Sequence, residues 1–171
     1  EVCRVRGIEA SRVRVVRNGV DCARFRPDAA RKDDIRCQLG MAENGRIVMF
    51  IGNGYRRKGV MTAGRAFART CGSEDRFVVI GKESRHSRYR SELQRLIGDR
   101  LHYVGPVTDT SAWLPAADVL VLPTMYDPAA NVTLEALACG VPPIVSRFDG
   151  NHEILPYPYQ NLEVLAPFGF E

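Results

Sequence analysis

The sequence predicts an α/β protein built on a doubly wound parallel sheet, and three observations predict it. Short apolar runs recur along the chain, among them Ile47 to Ile51, Phe77 to Ile80 and Val119 to Leu122. Helix-length segments with 3.6-residue periodicity separate them. A glycine closes several of the runs (Gly52, Gly81, Gly105), where a chain leaving a strand must turn. Strands joined through helices make right-handed βαβ units and hence a parallel sheet with both faces covered.

Taken in order, Arg12 to Arg17 alternates arginine with Val13 and Val15 and reads as a strand, closed by the turn Asn18-Gly19-Val20-Asp21. Asp28 is placed to cap a helix that ends before Gly40. Ile47 to Ile51 is the second strand. Val60, Ala63, Gly64, Phe67 and Ala68 then keep the spacing of a helix with one face on a sheet. Phe77 to Ile80 is a strand, Tyr89, Leu93, Leu96 and Ile97 keep helical spacing, and Leu101 to Val104 is a strand. A short helix through Trp113 and Leu114, a strand at Val119, a helix after Asn131 and a strand at Ile144 to Val145 follow. The tail, with Pro156, Pro158 and Pro167, reads as loops around a last strand at Leu162 to Leu165.

At 171 residues the chain fits one domain with a sizeable core, and hardly two. It has no apolar stretch long enough to span a bilayer and no recognisable signal peptide. Glu1-Val2-Cys3-Arg4 is not a natural start, so the chain is expected to be cut from something longer. Five cysteines (Cys3, Cys22, Cys37, Cys71, Cys139) form no CxxC pair, which favours a reducing cytosol over a disulfide scaffold. His86, His102 and His152 form no ligand cluster, so no metal site is expected. The net charge of +4 draws on arginines near the start: Arg4, Arg6, Arg12, Arg14, Arg17, Arg24 and Arg26. That patch could lean on anionic lipid. Alternation with valine favours a solvated strand face, and without an aromatic-rich basic groove no nucleic-acid partner is expected.

The densest signal runs from Tyr126 to Gly140. It follows an apolar run ending in Pro123 and Thr124 and reads as strand, loop and helix. Asp127 lies in the loop and Glu135 about one turn inside the helix. The backbone N–H groups between them suit an anion. Two carboxylates for sugar hydroxyls, with amides for phosphate between them, fit a nucleotide sugar. The plainer reading is an N-cap and a dipole-complementing glutamate. A second candidate is Gly52-Asn53-Gly54-Tyr55-Arg56-Arg57-Lys58-Gly59. Arg57 stands where a dinucleotide fingerprint needs glycine, and Val60 follows Gly59 where a P-loop needs lysine. What remains is a glycine-rich turn with three cations, read as sitting at a helix N-terminus. There they oppose the dipole and imply a bound anion such as a diphosphate. The alternative is a merely basic, exposed loop.

These segments, with Phe25, Pro27, Ala117-Asp118-Val119 and Gly150 to Ile154, occur in an order that resembles the carboxyl-terminal, donor-binding half of retaining GT-B glycosyltransferases of family 4. Lipopolysaccharide-core hexosyltransferases are the most similar in flavour, and the resemblance covers nearly the whole chain. It implies a Rossmann-like half of a GT-B fold over residues 1–171 and a fragment of a two-domain enzyme. In that family two acidic residues with seven between them bind the donor. By that match Glu135 grips the ribose and Asp127 faces the transferred sugar. Ala129 and Ala130 offer amides to sugar hydroxyls, and Asn131 and Val132 to the distal phosphate. Lys58 and Arg57 neutralise the leaving diphosphate, with Gly52, Asn53 and Gly54 in the same loop. Gly81 and the Gly105 to Val107 turn border the base. Three residues depart from the family pattern: Asp127 for a longer glutamate, Pro128 for a glycine that would keep its N–H, and Asn53 for an arginine.

The resemblance further implies transfer of a hexose from a UDP- or GDP-linked donor with retention, without a metal or other cofactor. The acceptor, a glycan or a lipid-linked sugar, would be held by an amino-terminal domain absent here. Location in the cytoplasm, with peripheral contact at the inner membrane face, is the matching expectation. A nucleotide-sugar epimerase and a non-catalytic nucleotide-binding module are the alternatives.

Overall fold

A computed structural model of the chain describes residues 7–83 and 88–155. Five parallel strands form one sheet: β1 (Ile47–Ile51), β2 (Arg76–Ile80), β3 (Leu101–Gly105), β4 (Val119–Leu122) and β5 (Pro143–Val145). Their spatial order is β3-β2-β1-β4-β5. The chain builds outward from β1 to β3 and then returns to lay β4 on the other side of β1. Crevices at such a reversal, outside the carboxyl ends of the strands, are where ligands bind in open α/β sheets.

Among the described residues five α-helices flank the sheet: α1 (Ala29–Gln38), which precedes β1, and α2 (Tyr55–Lys58), α3 (Val60–Thr70), α4 (Tyr89–Ile97) and α5 (Asn131–Ala138), which lie between strands. All five residues of β1 are buried, as a central strand covered on both faces requires. Met49, Ile51, Val78, Ile80 and Leu120 pack on one side with Ile35 of α1 and Ala136 of α5. Phe50, Phe77, Val79 and Leu122 pack on the other with Phe67 of α3 and Leu93 and Ile97 of α4. Gly64 is the contact point of α3 and α4, since a Cβ there would lie 2.4 Å from Leu93 Cδ2. The Asp28 carboxylate caps α1 by accepting from the Arg31 N–H at 3.0 Å.

Two expected elements come out differently. Arg12 to Arg17 forms no strand and has no sheet partner among the described residues. Val15 and Val16 are 81% and 82% exposed, so this segment has no buried face to set a strand register. The helix expected through Trp113 and Leu114 is a pair of 3-10 turns, Thr110–Ala112 and Leu114–Ala116. Pro115, which has no N–H to donate, stands inside the second. The strand expected at Leu162 to Leu165, the tail prolines and His86 lie outside the described residues. Among the described residues no helix is long and apolar enough to cross a membrane.

Candidate functional site

The carboxyl ends of β1, β2 and β3 close in a lip of bare backbone. Gly52 N–H donates to the Ile80 carbonyl at 3.0 Å, and Gly81 N–H to the Gly105 carbonyl at 2.8 Å. Gly81 has φ +131°, and a Cβ there would fall 2.1 Å from the Gly52 carbonyl oxygen, so only glycine fits. The Asn53 side chain accepts from Lys82 N–H at 2.7 Å and thus latches the β1 loop to the β2 loop. Tyr55 is buried beneath, its hydroxyl donating to the Gly81 carbonyl at 2.9 Å. Burial, with the neighbouring Tyr103 hydroxyl, pushes that phenol far above its ordinary pKa.

The cationic loop holds one turn more than expected. Gly54 (φ +73°) and Gly59 (φ +78°) bracket α2 as a separate helical turn, and Arg56, Arg57 and Lys58 occupy its last turn. They also directly precede the N-terminus of α3, which Gly59 caps, so the single turn of α2 offsets only part of the opposition from the longer helix's dipole. Position does more. A Cβ on Gly59 would lie 2.2 Å from the Pro123 carbonyl oxygen, which brings the β1 loop directly against the end of β4. The Arg57 carbonyl accepts from Met125 N–H at 2.8 Å and from the Thr124 hydroxyl at 3.1 Å.

That contact delivers Lys58 and Arg57 to Asp127. The Lys58 ammonium, itself buried, donates to Asp127 Oδ2. Arg57 Nη1 stands 3.3 Å from the same oxygen and donates to the Tyr126 carbonyl at 2.8 Å. Burial pushes the Asp127 carboxyl up, but Lys58 and then Arg57 outweigh it and hold the group below its ordinary pKa. An open cleft of about 500 Å³, lined by Gly54, Arg56, Arg57, Glu83, Met125 and Tyr126, lies beside this triad.

The start of α5 departs from the expected set of donors. Ala129 N–H leans on Asp127 Oδ1 at 3.3 Å. Ala130 N–H, expected to meet a sugar hydroxyl, donates instead to Asp149 Oδ1 at 3.2 Å. Asp149 is fully buried and also accepts from the Thr133 hydroxyl at 2.8 Å and from Asn151 N–H at 3.0 Å. Asn131 and Val132 lie in the first turn of α5, whose N–H groups have no intrahelical acceptor. The Asn18 side chain donates to Asn131 Oδ1 at 2.8 Å and ties the Asn18-Gly19-Val20-Asp21 turn to the helix start.

Glu135 faces a milder setting. Thr110 Oγ1 donates to its Oε2 at 3.3 Å, and burial pushes the carboxyl above its ordinary value. Gly105 ends β3 with φ +84°, and Val107 packs partly buried against the apolar cluster on the α1 side of the sheet. The structure therefore brings together Asp127, Lys58 and Arg57, and places Glu135 with Asn131 and Val132 on the adjoining helix, with Ala129 and Ala130 just before it. Asp149 and Asn18 were not among the expected site residues. An aspartate just before a 3-10 turn signals a local cap at Asn151, but nothing local points to its bonds with α5. Among the described residues no group of three His, Cys, Asp or Glu side chains could hold a metal ion.

Comparison with known proteins identifies the fold and the family. An uncharacterised glycosyltransferase of Methanocaldococcus jannaschii is 29% identical over 163 residues, covering 92% of this chain and 42% of that protein. Among solved structures, Anabaena HepE in complex with UDP and glucose superposes with a TM-score of 0.77 at 23% identity, covering 88% of this chain and 42% of that one. WaaG, a glycosyltransferase involved in lipopolysaccharide biosynthesis, superposes at 0.73 and 24% identity, over 85% of this chain and 41% of that one. At such identities the likeness carries the fold, the Rossmann-like domain of GT-B enzymes. The chain spans about two fifths of the length of the curated relatives it matches. Residues 45–166, well over half of the chain, match the family described as Glycosyl transferases group 1, and the chain belongs to that family.

Proposed function

We propose that the chain is the nucleotide-sugar domain of a two-domain retaining glycosyltransferase that moves a hexose from a UDP- or GDP-linked donor to a glycan or lipid-linked acceptor. One observation carries the reading. At the carboxyl end of β4, beside the reversal of strand order, Asp127 and Glu135 flank the first turn of α5, and two cations from the β1 loop reach Asp127. A donor with hydroxyls at both ends and a diphosphate between them matches that sequence of charges.

In this reading Glu135 accepts from the ribose hydroxyls and Asp127 faces the transferred sugar. The Asn131 and Val132 amides take the distal phosphate, and Ala129 remains near the sugar. Ala130 supports the site through Asp149 rather than touching the donor. Gly52, Gly54, Gly81, Gly105 and Val107 border the nucleotide, while Asn53 shapes the loop. Lys58 and Arg57 offset the charge of the leaving diphosphate. Fixed charges already in place stabilise such a leaving group without reorganisation, so the reaction needs no metal in this reading. The acceptor, and any base acting on it, belongs to an amino-terminal domain, in keeping with the chain's two-fifths share of its relatives. The net charge of +4 suits a cytoplasmic enzyme resting on the inner membrane face. HepE, whose structure holds UDP and glucose, supports a uridine donor and a hexose.

The test is a thermal-shift screen with UDP, GDP, ADP and their sugars. A nucleotide present at 100 times its Kd should stabilise the chain by about 2.7 kcal/mol. No shift with any of them overturns the reading. Incubated with radiolabelled UDP-glucose and lipid or sugar acceptors, the chain alone should transfer nothing. Robust transfer by it would place the acceptor site within these residues and end the two-domain reading.

A further inference from the structure

We propose that Asp127 is a specificity-determining residue that makes the site discriminate against a bare nucleoside diphosphate, by competing with it for Lys58 and Arg57. The inference rests on the donor reading above and adds a second task for the residue facing the sugar.

The geometry carries it. Lys58 and Asp127 are only 8% and 9% exposed, so their charges meet with little water between them. The Lys58 ammonium and Arg57 Nη1 converge on a single oxygen, Asp127 Oδ2. These are the two cations assigned to the diphosphate. A diphosphate arriving there must share them with a carboxylate of its own sign, and in a poorly hydrated site that repulsion is strong. A sugar attached to the diphosphate changes the balance, because its hydroxyls donate to Asp127 and stand between the two anionic groups. Once transfer has removed the sugar, Asp127 is again an unshielded anion beside the phosphates. It draws Lys58 and Arg57 back, which favours release of the spent nucleotide.

A purely architectural role for the triad predicts the opposite result on mutation. Tying the β1 loop to the β4 loop would make Asp127 a support of the phosphate site, and its loss would weaken every ligand.

The experiment is calorimetric titration of the wild-type chain and Asp127→Asn with UDP, GDP, ADP, the matching nucleosides, inorganic pyrophosphate and the nucleotide sugars. Asp127→Asn should bind the preferred nucleoside diphosphate and pyrophosphate about tenfold tighter, and the nucleoside equally well. The preference for nucleotide sugar over bare diphosphate should fall by a similar factor. The double variant Lys58→Gln/Asp127→Asn removes the buried pair without orphaning a charge, which guards against misfolding of the single variant. Compared with Lys58→Gln alone, it should gain only about threefold, since Arg57 is then the one cation to release. Unchanged or weaker diphosphate binding in both comparisons overturns the inference and leaves the donor reading standing. Binding of UDP, GDP and ADP by neither wild type nor variants overturns both. Diphosphate binding by Asp127→Asn alone, with none by wild type, supports both.

Discussion

Asp127 and Glu135 belong to one continuous segment and both are withdrawn from water, yet the fold treats them in opposite ways. Burial pushes each carboxyl up. At Asp127 a buried lysine and an arginine reverse the effect, whereas Glu135 takes a hydrogen bond from the Thr110 hydroxyl and stays raised. The difference comes from the neighbour that each carboxylate receives. Gly59 lets the β1 loop lie on Pro123, and the cations come with it. Glu135 faces the turn after β3 instead. A carboxylate held by cations is committed before a ligand arrives. One held by a single neutral donor still has acceptor capacity, which suits a pair of ribose hydroxyls.

The largest expected effect breaks the platform under both. Asp149→Ala strips one acceptor from the Ala130 and Asn151 amides and the Thr133 hydroxyl, at about 1–3 kcal/mol for each donor left unsatisfied. Urea unfolding should show a loss of about 4 kcal/mol in total, as water reclaims part of the cost. A loss under about 1 kcal/mol would mean that the start of α5 is held by something else.

Next, Asp127→Asn should cost about 3 kcal/mol of stability at neutral pH, because it leaves the buried Lys58 ammonium without its counter-charge. Unchanged stability would mean that water already screens the pair. Glu135→Ala should leave folding nearly intact and weaken nucleotide binding by ~1.5–3 kcal/mol, the worth of hydrogen bonds to a charged group. Lys58→Ala should instead spare nucleosides, reduce diphosphate binding, and flatten its dependence on added salt. Equal losses across nucleosides and diphosphates for both variants would erase the proposed division of labour.

The smallest effect lies in the pH dependence. The depressed pKa of Asp127 gives stability that is complete above the usual aspartate value and lost as pH falls through the lower folded value. Glu135 has the opposite sign. Its raised pKa favours the folded state most in acid, and that advantage disappears as pH rises through the raised folded value. Glu135→Gln should therefore raise Tm at neutral pH by about 1–2 °C and leave it unchanged near pH 4. A lower Tm at neutral pH would show that the ionised carboxylate is stabilised by the fold.

Much of this was legible along the chain. β1, β2, β3 and β4 are short apolar runs, and their periodicity needs no tertiary information. Gly52, Gly81 and Gly105 marked the strand ends, so the lip where a ligand would rest was readable too. Asp127, Glu135, Arg57 and Lys58 stood out because charge beside a strand end is a local feature. Arg12 to Arg17 misled for the same reason. Alternation describes a strand's faces, but pairing needs a neighbour, and among the described residues none is offered.

Which charges meet was decided only by the tertiary structure. Lys58 finds Asp127, 69 positions away, because strand order reverses and sets β1 beside β4. The fully buried Asp149 holds the start of α5 because the turn after β5 packs beneath it, and a Cβ on Gly150 would fall 1.8 Å from the Pro128 carbonyl oxygen. That contact takes the Ala130 amide away from any ligand. Periodicity and turn chemistry act over a few residues and are written in the sequence itself. Ion pairs across a sheet depend on the order of its strands, and that order is settled only when the whole core packs.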